Sequence, residues 1–209
     1  MRTQPNEIRV ILFDVGGVLV ELSGLTMLLS WLGHGVTAEH ARTLWLTSPT
    51  VRLFETGKMK ASAFAEQMIT ELGLRVSSEE FLTELYARSQ RTLPGAVELV
   101  RRIPPRIFVR ATLCNTNAVQ WPRLMEQHPD LIGAFDHHFA SHLTGKIKPD
   151  EEAFRHVLAT LGCEGPATLF LDDSQLNVAA AKRVGMTAFQ VQGPVEAERA
   201  LREAEVLRV

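Results

Sequence analysis

Short, nearly uninterrupted apolar runs recur along the chain, each closed by glycine, proline or polar residues. Such runs lie at 8–14, 106–113, 168–172 and 187–191, and a shorter one lies at 135–141. Continuous rather than alternating apolar character is typical of strands that are buried on both faces of a parallel sheet. The pattern therefore predicts five buried strands.

Amphipathic segments with helical spacing follow and separate most of these runs. We expect helices at 94–103, 119–127, 150–161, 175–184 and 195–207. Because strands and helices alternate, the sequence predicts an α/β fold, a doubly wound, Rossmann-like parallel sheet with right-handed crossovers.

The stretch between the first two predicted strands has a different character. It contains no strand-like run, and its apolar residues recur at helical spacing, for example at Phe64, Met68, Ile69 and Leu72. We interpret 23–92 as an inserted helical cap, a four-helix bundle, and 1–22 together with 93–209 as the α/β core. An insert at this point would lie over the edge of the sheet as a lid.

The composition narrows the class of protein. At 209 residues, 45% apolar and 22% charged, the chain is ordinary for a soluble globular protein, and its net charge of −2 gives no reason to expect a nucleic-acid partner. Two cysteines argue against a disulfide framework. We see neither a signal peptide nor a membrane span of roughly 20 apolar residues, so we expect a cytoplasmic protein with no membrane partner. The sequence leaves monomer and homodimer open.

Two of the predicted strands, far apart in the chain, end in aspartate. Asp14 closes the first, and Asp172 with Asp173 closes another. Ligands of open α/β sheets lie at the carboxyl ends of the strands, so these carboxylates should converge on one crevice. Their mutual repulsion calls for a cation, and carboxylate oxygens are ligands that suit Mg²⁺. The spacing indicates a magnesium-dependent phosphoryl-transfer site.

Four segments at predicted strand or loop ends resemble a known family. They are FDVGGVL at 13–19, LCNTN at 113–117, GKIKPD at 145–150, and LDDS at 171–174 with Asn177. Together they are similar to the haloacid dehalogenase-like hydrolase superfamily, in the branch with a helical cap after the first strand. Within it they most resemble bacterial sugar-phosphate phosphatases that act on α-glucose 1-phosphate. The resemblance spans nearly the whole chain.

The resemblance implies a role for each matched residue. Asp14 would be the nucleophile, which forms an acyl-phosphate and splits one hard displacement into two easier ones. Lys148 would face both Asp14 and the phosphate, where its fixed positive charge stabilises the transferred group. Lys148, Cys114, Asn115 and Thr116 would bind phosphate, Asn115 and Thr116 through their backbone amides. Asp14, the carbonyl of Gly16, Asp172 and Asp173 would hold Mg²⁺.

Two positions depart from the usual family pattern. Most phosphatases of the superfamily have an acid–base aspartate where this chain has Gly16, and general acid–base catalysis contributes roughly 10²–10⁴-fold. The sugar-phosphate branch also has glycine there, so turnover can survive, and Glu21 is a weak candidate for the missing proton donor. Cys114 replaces the usual Ser or Thr. Its thiol can be a weak hydrogen-bond donor to phosphate, or Cys114 can be a small core residue. Thr116 could supply the missing hydroxyl.

We therefore predict a Mg²⁺-dependent phosphatase that hydrolyses a small phosphorylated metabolite, a sugar phosphate, through phospho-Asp14. One alternative is a phosphometabolite-binding protein that has lost its chemistry. The other is a 2-haloacid dehalogenase, which needs no metal and is disfavoured by the adjacent Asp172 and Asp173. The cap would determine selectivity, with Trp45, Arg52 and Phe54 as weak candidates.

Overall fold

The computed structural model describes residues 7–21, 24–32, 35–87 and 91–207. Within them lie the strands β1 (Val10–Phe13), β2 (Val109–Cys114), β3 (His137–Ala140), β4 (Thr168–Asp172) and β5 (Thr187–Gln190). They form one parallel sheet in the order β3-β2-β1-β4-β5. The predicted α/β fold class is confirmed.

Helices account for most of the remaining described chain. Those of the insert are α1 (Gly24–Leu32), α2 (Ala38–Thr47), α3 (Pro49–Glu55), α4 (Ala61–Leu72) and α5 (Ser78–Ala87). Those that follow are α6 (Ala96–Arg102), α7 (Gln120–Gln127), α8 (Pro129–Ile132), α9 (Ser141–Thr144), α10 (Glu151–Leu161), α11 (Gln175–Arg183) and α12 (Gly193–Glu203). None of the described helices is long and apolar enough to cross a membrane.

The central strand β1 is buried on both sides, as its continuous apolar run predicted. Alternate residues of a strand point to opposite faces of the sheet. Ile11 and Phe13 therefore pack in one cluster with Leu201 of α12. Leu12 packs on the other face, in the cluster that contains Phe154 of α10. Helices on both faces leave the carboxyl ends of the strands as the open edge of the sheet.

The insert has a hydrophobic core of its own, in which Phe64 of α4 is fully buried and stacks on Phe54 of α3 at 4.1 Å. The predicted four-helix bundle is wrong, since five helices are described between residues 24 and 87. The extra helix arises at Ser48, whose hydroxyl accepts a hydrogen bond from the amide of Val51 and so begins α3 directly after α2.

The chain enters and leaves the insert side by side. Val20 and Thr92 form an antiparallel bridge, and the amide of Glu21 donates to the carbonyl of Arg91 at 2.9 Å. This pairing lies next to the predicted domain limits, 22 with 23 and 92 with 93. The limits themselves stay a prediction.

One strand begins later than the sequence pattern predicts, and two short helices were not predicted. β2 begins at Val109 rather than at 106, because the amides of Ile107 and Phe108 both turn back to the carbonyl of Pro104. The four-residue helices α8 and α9 were not predicted, since one helical turn is too short to show a period.

Candidate active site

The first feature of the site is a buried lysine between two carboxylates. Asp14 directly follows β1 and Asp172 ends the neighbouring β4, so parallel pairing brings them to the same edge of the sheet. Lys148 Nζ lies 2.9 Å from Asp14 Oδ1 and 2.7 Å from Asp172 Oδ2. Its side chain is only 1% exposed. The structure thus brings together three of the residues that the sequence predicted.

The carboxylate of Asp172 is held from several sides. Its Oδ1 accepts from the amide of Ser174 at 2.8 Å and from Asn177 Nδ2 at 2.9 Å. Its Oδ2 accepts from Lys148 and, at 3.1 Å, from Asn177. Both oxygens are therefore occupied by donors, which suits a carboxylate that fixes Lys148. Direct metal coordination by Asp172 stays a prediction.

Asn115 fixes the backbone of Lys148 in turn. Its side-chain oxygen accepts from the amide of Lys148, and its side-chain nitrogen donates to the carbonyl of the same residue, both at 2.9 Å. Burial opposes the charge of Lys148, but the negative charges of Asp14 and Asp172 outweigh it and raise its pKa. The ammonium group thus keeps its proton and its position.

Asp14 is a buried carboxyl group with both positive and negative charges close to it. Burial raises its pKa, the charge of Lys148 lowers it, and Asp172 and Asp173 raise it, so that the pKa is about 7. Oxygens of the three aspartates lie within 4.8 Å of one another. Hard carboxylate oxygens that converge in this way fit Mg²⁺, whose charge would relieve their repulsion.

The turn after β1 fits tightly against this cluster. Gly17 has φ +74°, and a Cβ at this position would lie 2.8 Å from Oδ2 of Asp173. Only glycine combines this conformation with this approach. Gly16 lies outside the left-handed region, so its backbone conformation is open to residues with a side chain. Metal binding through its carbonyl stays a prediction.

The predicted phosphate-binding residues, 114–116, make contacts within the protein that would compete with phosphate. Burial, and then the charge of Asp14, raise the pKa of the Cys114 thiol, so it is no nucleophile in this state. The amide of Thr116 donates to Ser141 Oγ at 2.9 Å, and that hydroxyl donates to the carbonyl of Thr116 at 2.8 Å. Phosphate binding by Cys114, Asn115 and Thr116 stays a prediction, and for the Thr116 amide it competes with Ser141.

A carboxyl group of the cap, Glu55, was missed by the sequence reasoning. It ends α3, is 8% exposed, and accepts from Trp45 Nε1 at 3.4 Å. Burial raises its pKa, while the Trp45 hydrogen bond and the charge of Lys148 lower it, and the resulting pKa is about 7. A signal was present, because Glu55 lies one turn after the apolar Val51 on the buried face of the helix. Glu21, the earlier candidate proton donor, is exposed.

Helix α3 also anchors the cap on the core. Arg52 forms an ion pair with Asp150, two residues after Lys148. Gly57, just beyond α3, has φ +72°, and a Cβ there would lie 2.5 Å from the carbonyl oxygen of His142. Of the three candidate selectivity residues, Arg52 therefore bridges cap and core, Trp45 holds Glu55, and Phe54 lies in the cap interior.

A parallel α/β core with a lysine-bridged carboxylate cluster under a helical cap defines a class of hydrolases. The model for haloacid dehalogenase-like hydrolases matches residues 8–185, and the chain belongs to this family. The predicted resemblance to the superfamily is thereby confirmed, and the protein is an enzyme, a hydrolase. The closer likeness to phosphatases of α-glucose 1-phosphate stays a prediction.

Individual relatives agree with this assignment. The chain is 28% identical over 180 residues to a sesquiterpene phosphatase of Aspergillus oryzae, covering 86% of this chain and 88% of the relative. It is 24% identical over 196 residues to a D-ribitol-5-phosphate phosphatase of Bacteroides thetaiotaomicron, covering 88% and 91%. A family enzyme of the same bacterium, solved with magnesium and inorganic phosphate, superposes with a TM-score of 0.67 at 19% identity over 88% of this chain and 94% of that one.

Proposed function

We propose that the protein is a Mg²⁺-dependent phosphatase that hydrolyses a small phosphorylated metabolite through a phospho-Asp14 intermediate. The observation that carries the proposal is the buried ion-pair chain from Asp14 through Lys148 to Asp172, with Asp173 beside it. Two relatives that match most of this chain and most of their own length are named phosphatases, which supports the reaction class.

Asp14 acts as the nucleophile. Its carboxylate oxygen bonds to phosphorus while the bond from phosphorus to the leaving oxygen breaks, and a water molecule then attacks the phosphorus and releases Asp14. Lys148 orients the carboxylate and places a positive charge beside the transferred group, where it stabilises charge that develops on the phosphoryl oxygens.

Asp14 and Asp173 would hold the Mg²⁺, together with the carbonyl of Gly16. Asp172 adds negative charge to the cluster, but its oxygens already accept hydrogen bonds from Lys148, Ser174 and Asn177. When bound, the ion neutralises charge on the phosphoryl oxygens and orients them for attack. The solved family enzyme with magnesium and phosphate supports this choice of metal.

The substrate we propose is a sugar or polyol phosphate. The relative that acts on D-ribitol 5-phosphate supports this class, whereas the sesquiterpene phosphatase favours an apolar leaving group. Both classes of phosphate ester belong in the test, because the sequence of the cap does not indicate which leaving group it accepts.

The test is release of inorganic phosphate from sugar phosphates, polyol phosphates, prenyl phosphates and p-nitrophenyl phosphate, with Mg²⁺ and with EDTA. We expect Mg²⁺-dependent release that Lys148→Ala abolishes. Lys146→Ala is the matched control, because Lys146 lies in the same loop and only approaches the exposed Glu152 at 3.8 Å. Equal rates with Mg²⁺ and EDTA would contradict the metal dependence.

Two alternatives give different results in the same assay. A 2-haloacid dehalogenase, which the glycine at position 16 permits, would release chloride from 2-chloropropionate and no phosphate from any ester. A protein that only binds phosphometabolites would bind Mg²⁺ and remain silent on the whole panel.

A further inference from the structure

The proposed reaction leaves one proton without a donor. In-line transfer places the attacking and leaving oxygens on opposite sides of phosphorus. Asp14 attacks from the edge of the sheet, so the leaving oxygen faces away from the sheet, towards the cap. An alkoxide leaving group needs a proton as its bond to phosphorus breaks. Gly16, at the family's usual acid–base position, has no side chain to supply it.

We propose that Glu55 of the cap is the general acid and base of this enzyme. The assignment rests on the proposed phosphatase function and adds a catalytic residue to it. In the first step the Glu55 carboxyl gives its proton to the leaving oxygen while Asp14 bonds to phosphorus. In the second, the Glu55 carboxylate takes a proton from the water that attacks phosphorus, the bond from phosphorus to Asp14 breaks, and phosphate leaves. Glu55 ends as it began, protonated.

The position of Glu55 carries the argument. It is buried at the end of α3, the cap helix that contacts the core through Arg52 with Asp150 and through Gly57 against His142. Across this interface its carboxyl interacts electrostatically with both Lys148 and Cys114, residues of the phosphate site. Among the residues that the structure describes, no cation lies within 4.0 Å of Glu55 to hold it as a structural ion pair.

The surroundings suit a group that cycles between two protonation states. Burial favours the neutral acid, whereas the Trp45 indole and the charge of Lys148 favour the carboxylate, and the resulting pKa is about 7. A general acid–base residue works best with a pKa near the operating pH. The titratable groups of the described core that interact with it are Lys148 and Cys114. His142 of α9 lies next to the turn after α3, where its backbone meets Gly57, and burial lowers the pKa of its side chain.

The first test compares wild type and Glu55→Gln on two probes, D-ribitol 5-phosphate and p-nitrophenyl phosphate, in the presence of Mg²⁺. We expect kcat on the alkyl ester to fall roughly 10²–10⁴-fold with little change in KM. Nitrophenolate leaves without protonation, so Glu55→Gln should still release a first equivalent of it rapidly and then stall at hydrolysis of phospho-Asp14.

Three outcomes would overturn the assignment. They are an unchanged kcat on the alkyl ester, a rise in KM alone, which is the signature of substrate binding, and loss of the nitrophenolate burst together with steady-state turnover. Failure of the phosphatase proposal is distinguishable, because it would show as a silent wild type on every probe and would overturn both.

The second test uses the hydrogen bond from Trp45. Trp45→Phe removes a donor that stabilises the Glu55 carboxylate. We expect the alkaline limb of kcat/KM on the alkyl ester to move to higher pH. Trp31→Phe is the matched control, since Trp31 stacks on Phe81 at 4.8 Å inside the cap. Equal pH profiles in all three proteins would contradict a role for Glu55 in proton transfer.

Discussion

Lys148 is the residue on which the charge balance of the site depends. A buried ion is destabilising unless it is paired and hydrogen-bonded, and removal of one partner leaves the other uncompensated. Here a single ammonium group compensates Asp14 and Asp172, and Asn115 fixes its backbone. The arrangement fixes the carboxylate that we propose as the nucleophile, and it accounts for two buried carboxylates in one crevice.

Lys148→Met should therefore destabilise the fold as well as abolish activity. Two carboxylates would lose their counter-ion, and we expect the free energy of unfolding in urea to fall by about 3–5 kcal/mol in metal-free buffer. Lys146→Met should change it by no more than about 0.5 kcal/mol, as is usual for a surface substitution. Similar values for the two variants would contradict the central place of Lys148.

Substitution of Glu55 should affect stability in the opposite direction to substitution of Lys148. Its pKa is 4.5 without burial and about 7 in the fold, so the folded protein holds this proton more tightly than the unfolded chain. The contribution of this group to stability is then fully present below about pH 4.5. It is lost as pH rises to about 7, a change of about 3 kcal/mol. Glu55→Gln should be more stable than wild type at about pH 8, with a difference that shrinks towards pH 5. A parallel pH dependence of unfolding in the two proteins would refute the assigned environment.

At the scale of elements, α3 and the turn after it join the cap to the core. Gly57 and Gly73 both have left-handed backbones, with φ +72° and +62°. A Cβ at Gly57 would meet the backbone of His142, whereas nothing lies within 4 Å of a Cβ at Gly73. Alanine would therefore meet the same left-handed backbone at either position, and the two positions differ only in the contact between cap and core.

Gly73→Ala should cost about 1–2 kcal/mol of stability from the left-handed backbone alone and leave kcat/KM unchanged. Gly57→Ala should cost more and should lower kcat/KM by up to about 10²-fold, because it displaces the cap helix that carries Glu55. Thermal unfolding and initial rates on D-ribitol 5-phosphate, whose alkoxide leaving group needs a proton, measure both effects. Equal activities in the two variants would show that the position of α3 is immaterial to the chemistry.

The strands and the core half of the site could be predicted because their signals are local. The run that forms β4 and the aspartates that close β1 and β4 are visible in the sequence, and parallel pairing then brings the aspartates together. Contacts between cap and core, such as Arg52 with Asp150, join segments that no periodicity relates. The Ser141 hydroxyl at Thr116 depends in the same way on how β3 lies against β2.

For the whole molecule, metal binding should be visible as stability. Mg²⁺ at about 100 times its Kd should raise the free energy of unfolding by about 2.7 kcal/mol, since the cluster of Asp14, Asp172 and Asp173 exists only in the folded chain. Asp173→Asn should remove most of this gain. Asp130→Asn is the control, because Asp130 pairs with Arg101 on the surface. Equal Mg²⁺ effects in both variants would place the metal elsewhere.

The most direct test of a phospho-Asp14 intermediate is a rapid-quench experiment with ³²P-labelled substrate. We expect label to accumulate on the wild-type protein before phosphate is released, and peptide mapping to locate it on Asp14. Asp14→Asn should carry no label, and its turnover should fall by roughly 10⁴–10⁶-fold. Turnover without labelled protein, or label that persists in Asp14→Asn, would contradict a phospho-Asp14 intermediate.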